Sequence, residues 1–267
     1  MRQLELLRKL YRGRKNPKDA AVPRVTDAFS EAALYDLKHK GIHIVPDFFS
    51  TEVISDIKQT IASCLDHVSD EQWQQVRNGV SSKENRFGVS IGDPWHLWID
   101  KEGSDQRISQ AEFLHEGIRG FASDERLRLI GCAYLERQIA LRFCMVNRTQ
   151  YQPANMGSGG GWHRDNNYKR GFKSLIYLSD SDEQNGCFQY LDRSASIFHH
   201  LLKTPFPDKY QFTHDEVLQM VSSDEHKITS AIGKAGTLVL FDTNGVHRGK
   251  PLEAGGSRYA MTNYYID

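Results

Sequence analysis

Gly161-Trp162-His163-Arg164-Asp165-Asn166, read together with Gly245-Val246-His247-Arg248 much later in the chain, decides which fold this sequence needs. Successive side chains of a strand point to opposite faces, so His163 and Asp165, two residues apart, share a face and can close on one metal ion. His247 offers a third ligand. It follows the apolar run Thr237-Leu238-Val239-Leu240-Phe241 and the turn-forming Thr243-Asn244-Gly245. Two imidazoles and a carboxylate on one side of an octahedron leave three positions open. Non-haem Fe(II) oxygenases use this arrangement to admit a chelating co-substrate and dioxygen. An isolated H-x-D is common by chance, and an isolated histidine near a strand is more often a hydrogen-bonded core or surface residue than a ligand. The constellation carries the assignment, because Arg258 follows His247 by eleven residues in a further strand-like run, Arg258 to Tyr265.

At these residues the sequence resembles the phytanoyl-CoA dioxygenase-like family of Fe(II)/2-oxoglutarate oxygenases. Family members carry H-x-D, a distal histidine and an arginine at this same offset, and all four positions match. The similarity runs over residues 30 to 267. Gly41 to Ser50 is similar to the family's first strand and the turn into a helix capped at Ser50. Phe172 to Asp180, Asn185-Gly186 and Cys187 to Leu191 are similar to its core strand, turn and following strand.

The resemblance implies a mainly β fold with flanking helices, a double-stranded β-helix of the jelly-roll or cupin-like kind. It implies Fe(II) on His163, Asp165 and His247, with 2-oxoglutarate as co-substrate and dioxygen as oxidant. Arg258 would bind the distal carboxylate of 2-oxoglutarate, since its planar fork makes two charge-assisted hydrogen bonds and stays cationic when buried. Met145 and Leu175 match positions flanking the co-substrate, or are ordinary core. Lys173 leans into the pocket as a rival anion partner, or is a solvated lysine at a strand end. The implied activity is hydroxylation of an unactivated C–H bond with release of succinate and CO2. The same iron chemistry can end in desaturation, epimerisation or cyclisation, and a protein side chain is a third kind of target. A non-catalytic jelly-roll binding module is the alternative from another class; such a relative would be free to lose one of the four residues. Asp165 separates the chain from the related halogenases, where Gly or Ala stands there. Two departures stand out. The family's P-G-S-H turn reads Asp192-Arg193-Ser194-Ala195, and the hydroxyl residue two after the distal histidine is Gly249. A second hydrogen bond to the co-substrate must come from elsewhere.

At 267 residues with 39% apolar side chains, the chain is long enough for one sizeable core. The expected organisation is a basic extension, 1–29, and one catalytic domain, 30–267, with a helical insert near 195–232. The 34 cationic and 34 anionic side chains balance, which leaves no global field to recruit nucleic acid and points to a small-molecule substrate. Cys64, Cys132, Cys144 and Cys187 lack C-x-x-C spacing, so free thiols in a reducing compartment are expected. No apolar run is long enough for a signal peptide or a transmembrane segment, which makes a cytoplasmic location the expectation. Residues 2–24 hold eight Lys or Arg against two acids, with Leu4, Leu7 and Tyr11 able to share a helical face. This allows a peripheral membrane or partner contact, against the plainer reading of a basic tail or docked helix.

The periodicity predicts helices from Ser30, from Thr51 to His67 and from Ser123 to Arg137. Strands are expected at 42–45, 139–146, 161–166, 172–178, 188–191, 237–241 and 258–266. Residues 70–110 show no clear period and read as loop over a pocket mouth. Gly157 to Gly161 enters a strand and not a helix, so it suits a flexible rim beside the metal better than a phosphate cradle. Arg86, Trp95, Trp98, Trp162, Asn166 and Arg193 are the candidate substrate residues. Their mix of aromatic and cationic groups suits a polar or anionic molecule. His199, His200, His214 and His226 do not have the spacing of a second metal site.

Overall fold

The computed structural model describes residues 22–80, 85, 87–91, 93–153, 155–165, 170–195, 209–222 and 226–266. In chain order these form α1 (Ala28–His39), β1 (Ile42–Val45), α2 (Thr51–Asp66), α3 (Asp70–Val80), β2 (Val89–Ser90), β3 (His96–Ile99) and β4 (Asp105–Ser109). There follow a 3-10 turn (Ala111–Phe113), α4 (Glu116–Ala122), α5 (Glu125–Leu135), β5 (Ala140–Gln150), β6 (Trp162–His163), β7 (Phe172–Tyr177) and β8 (Phe188–Leu191). The last elements are β9 (Gln211–Phe212), α6 (His214–Val221), β10 (Ile228–Ala231), β11 (Leu238–Asp242), β12 (His247–Gly249) and β13 (Ser257–Ile266).

The strands make two antiparallel sheets. The larger has the order β1-β11-β7-β13-β5-β4-β3-β2 and the smaller β10-β8-β12-β6-β9. Non-consecutive neighbours on both sheets are the mark of a jelly roll. Strand alternation gives the larger sheet two unlike faces. Leu97, Ile108, Val146, Ile176, Leu240 and Met261 turn outward and pack under the helices, against Ile57 and Ile61 of α2, Val76 of α3 and Ile130 of α5. In α2, Ile54, Ile57, Ile61 and Leu65 recur at helical spacing and are all buried, each contributing about 1.5–3 kcal/mol. Helix starts are fixed locally: Asp27 accepts from Ser30 N at 2.9 Å, Asp124 from Arg126 N at 3.0 Å, and Thr213 with Glu216 closes a capping box on α6.

Between the sheets, Ile42, Tyr177, Val239 and Phe241 of the larger meet Phe188, Tyr190 and Ala231 of the smaller. This apolar plug closes one end of the sandwich. A third cluster, Trp162, Leu191, Phe212, Val217, Met220 and Val246, covers the far face of the smaller sheet with α6. No described helix is long and apolar enough to cross a membrane.

Two stretches differ from the sequence reading. Residues 70–110, expected as loop, supply α3 and three strands that widen the larger sheet. The described part of the expected helical insert holds α6, but Ile228–Ala231 is a strand paired with β8 in the smaller sheet. The basic segment 2–21, with Arg86, Asn166, His199 and His200, lies outside the described residues.

Candidate active site

The open end of the sandwich is a cavity of about 440 Å³ between the sheets. His163 of β6 and His247 of β12 are direct cross-strand partners, so both rings leave the smaller sheet on the same face, with centroids 4.4 Å apart. Asp165 stands just beyond β6. Its backbone N donates to Thr243 O at 2.9 Å, which ties it to the turn that leads into His247. One ligand atom from each of the three lies within 4.8 Å of the others, and this is the metal-type cluster found among the described residues.

Each imidazole is oriented the same way. Nδ1 of His163 lies 2.9 Å from Gly161 O and Nδ1 of His247 lies 2.8 Å from Gly245 O. A carbonyl can only accept, so both Nδ1 atoms carry the proton and both Nε2 lone pairs are left for a metal. Gly159 makes room for this. With φ at +84°, it brings backbone so close to the His163 ring that a Cβ there would lie 2.2 Å from Cε1. The glycine run is thus a chain of left-handed turns pressed against the histidine.

Electrostatics keep the ligands ready. Burial pushes the His247 imidazole down to about 3, and burial also lowers His163. Burial alone would raise Asp165, but the Lys173 ammonium, 2.7 Å from Oδ2, and the two imidazoles outweigh it and hold the carboxyl well below its usual range. In the unfolded chain the histidines take protons at an ordinary 6.5, so protons favour unfolding below that pH. These two histidines therefore add no slope above 6.5 and withdraw stability from metal-free protein progressively as the pH falls toward about 3. Thermal melts in chelator across this range check the slope, and His247→Gln should flatten it.

Arg258 of β13 faces the cavity from the larger sheet and is buried. One Nη donates to Gly186 O, its Nε has no partner, and no carboxylate among the described residues lies within ion-pair reach. Burial of the charge lowers its pKa. A buried guanidinium without an anion is costly unless a ligand supplies one, so this residue fits the distal carboxylate of a dicarboxylate. Gly249, where the resemblance leads one to expect a hydroxyl residue, is needed bare: a Cβ would lie 2.7 Å from both Nη atoms of Arg258 and 2.9 Å from Ser158 Cβ.

The remaining candidates divide. Met145, Leu175, Lys173 and Trp98 line the cavity. Lys173 is no solvated strand-end residue; it is largely buried, ion-paired with Asp165 and 3.9 Å from the Tyr264 ring centroid. Trp162 is a correction. It points away from His163 into the third core cluster, where Nε1 donates to His214 at 3.3 Å. Arg193 is exposed in a left-handed turn, its N donating to Lys40 O at 2.7 Å, and Trp95 packs against the large core cluster. Neither lines the cavity. The sequence reading missed Arg107, Asn147, Thr262 and Tyr264, all of which do, while Phe87 and Ser158, which also line it, fall in the stretches read as pocket mouth and rim. The signal available for Arg107 was its two-residue alternation with Asp105 and Ser109.

Comparisons place this architecture. The fold matches that of the epimerase SnoN in complex with Fe3+, alpha ketoglutarate and nogalamycin RO (TM-score 0.62, 13% identity, 90% of this chain and 84% of that one). It also matches the alpha ketoglutarate dependent carbocyclase SnoK (0.56, 13%, 94% and 87%) and EctD from S. alaskensis with bound Fe (0.57, 15%, 94% and 79%). At such identities the likeness is one of fold. No curated protein matches the sequence. The sequence itself, however, fits the profile described as phytanoyl-CoA dioxygenase (PhyH) over residues 37–260, a span that holds the three ligand candidates and Arg258, and the chain belongs to that family.

Proposed function

We propose that the protein is an Fe(II)- and 2-oxoglutarate-dependent oxygenase that hydroxylates a C–H bond of a small polar or anionic molecule. One observation carries the reading: a His-Asp-His cluster with both Nε2 atoms free faces, across a cavity, a buried guanidinium that lacks an anion. Fe(II) bound there would supply the oxidation, in which one 2-oxoglutarate and one dioxygen are consumed to give succinate, CO2 and the hydroxylated product.

The chain's own residues then have distinct tasks. His163 and His247 donate Nε2 and Asp165 a carboxylate oxygen. Lys173 holds the second carboxylate oxygen at 2.7 Å and so sets the rotation of Asp165. Arg258 receives the distal carboxylate of 2-oxoglutarate. Phe188 and Phe241, with ring centroids 5.6 and 5.2 Å from His247, keep water from the inner side of the site.

SnoN and SnoK, named as an epimerase and a carbocyclase, show that this fold serves other outcomes. Product mass separates them: hydroxylation adds one oxygen atom, desaturation or cyclisation removes two hydrogens, and epimerisation leaves the mass unchanged. The test is anaerobic loading with Fe(II) and 2-oxoglutarate, then air and pools of small metabolites, with succinate and product mass followed together. Succinate that rises with an oxygen-bearing product is expected. Protein that forms no succinate with or without any pool would overturn the reading.

A further inference from the structure

Arg107 belongs to none of the motifs in the sequence, yet it lines the cavity beside Trp98. Its guanidinium carbon lies 4.2 Å from the Trp98 ring centroid, its direct cross-strand partner in β3. From behind, Asp105 fixes one edge, accepting from Nε at 3.1 Å and also from Nη2. Asp105 is itself buried and anchored by Ser158 Oγ at 3.0 Å and Asn147 Nδ2 at 3.4 Å. Burial works against the charge on Arg107, but the Asp105 carboxylate outweighs it and raises the guanidinium's pKa. Nη1 has no partner among the described residues. A guanidinium held over a ring and tied at one edge has its rotamer fixed before any ligand arrives, which removes much of the entropic cost of binding an anion.

The charge balance agrees. Among the described residues the cavity wall carries Arg107, Lys173 and Arg258 against Asp165, with Asp105 directly behind. A divalent metal and doubly ionised 2-oxoglutarate offset each other, which leaves one positive charge for the substrate. Next to Arg107 the cavity wall becomes apolar: Met145, then Phe87 and Tyr264, both backed by Phe143, whose ring stacks on Tyr264 at 4.9 Å.

We infer that the substrate is a singly charged carboxylate with an apolar body, its carboxylate bound by Arg107 on the Trp98 ring and its body lying along Met145, Phe87 and Tyr264. This rests on the oxygenase reading above. The test uses full-length protein loaded with Ni(II) and 2-oxoglutarate, titrated calorimetrically with phenylacetate and with its uncharged counterpart phenylacetamide. Phenylacetate is expected to bind on the order of tenfold tighter than the amide, as one charge-assisted contact allows. Arg107→Gln should erase that ratio while 2-oxoglutarate affinity is unchanged. Trp98→Leu, which keeps the pair with Asp105, should reduce the ratio and decides the matter if Arg107→Gln does not fold. Equal affinity for the two probes in the parent protein overturns the inference, as does a ratio that survives either substitution. Arg107→Gln protein that loses 2-oxoglutarate binding instead would assign the residue to the co-substrate and overturn it too. Protein that takes up neither Ni(II) nor 2-oxoglutarate overturns the oxygenase reading and this one with it. Protein that loads both yet ignores the charge of the probe overturns this one alone.

Discussion

His247→Ala is expected to abolish turnover while the protein still folds. His247 is the buried member of the ligand set, and its Nε2 is freed for a metal by the bond from Nδ1 to Gly245 O at 2.8 Å. Loss of an outer partner of a metal ligand already costs about 10–100-fold in affinity or activity, so loss of the ligand itself should cost more than ~100-fold in Fe(II) affinity. The fold should survive, because β12 is held by backbone pairing to β8 and β6 and the sheets are joined by their own apolar plug. A cooperative melt, metal titration and succinate assay on one preparation check all three points. A variant with the parent's turnover would remove His247 from the site.

Arg258→Ala should separate the co-substrate from the metal. Taking away one partner of a buried charge pair costs about 3–5 kcal/mol, which corresponds to 2-oxoglutarate binding weaker by a hundredfold or more. Metal affinity should stay put, since Arg258 is on the opposite sheet and touches no ligand. The structure adds a second expectation. Without ligand the guanidinium is a buried charge with no anion, so its removal should not lower the melting temperature of co-substrate-free protein. If 2-oxoglutarate affinity were unchanged, Lys173 would be the carboxylate partner, and its pair with Asp165 would have to open.

Period-two reasoning explains both what the sequence revealed and what it hid. Apolar strands such as Leu238–Asp242, buried on both faces, and Phe172–Tyr177, which alternates buried with half-buried residues, were legible because the turns beside them carry Gly and Asn. β4 was not. Of Asp105-Gln106-Arg107-Ile108-Ser109, only Ile108 joins the large core cluster, while Arg107 lines the cavity and Asp105 is buried behind it. A strand that lines a charged cavity loses the alternation by which strands are found, so the residues of this wall were the hardest to place. Trp162 failed for the opposite reason. The rule that puts His163 and Asp165 on one face puts Trp162 and Arg164 on the other, and both are buried there, with Arg164 5.1 Å from the Phe212 ring centroid. Composition beside a ligand suggested a role that its own register excludes.

The two halves of the site are carried by different layers: the metal ligands by the five-stranded sheet and Arg258 by the eight-stranded one. On the proposed function, a dicarboxylate held at both ends would span the sandwich, and the thickness of the apolar plug of Tyr177, Val239, Phe188 and Tyr190 would act as a ruler for its length. A shorter oxo-diacid would leave one end short of its cation and a longer one would have to buckle. Selectivity for a five-carbon co-substrate would then be a property of how far apart the two sheets pack.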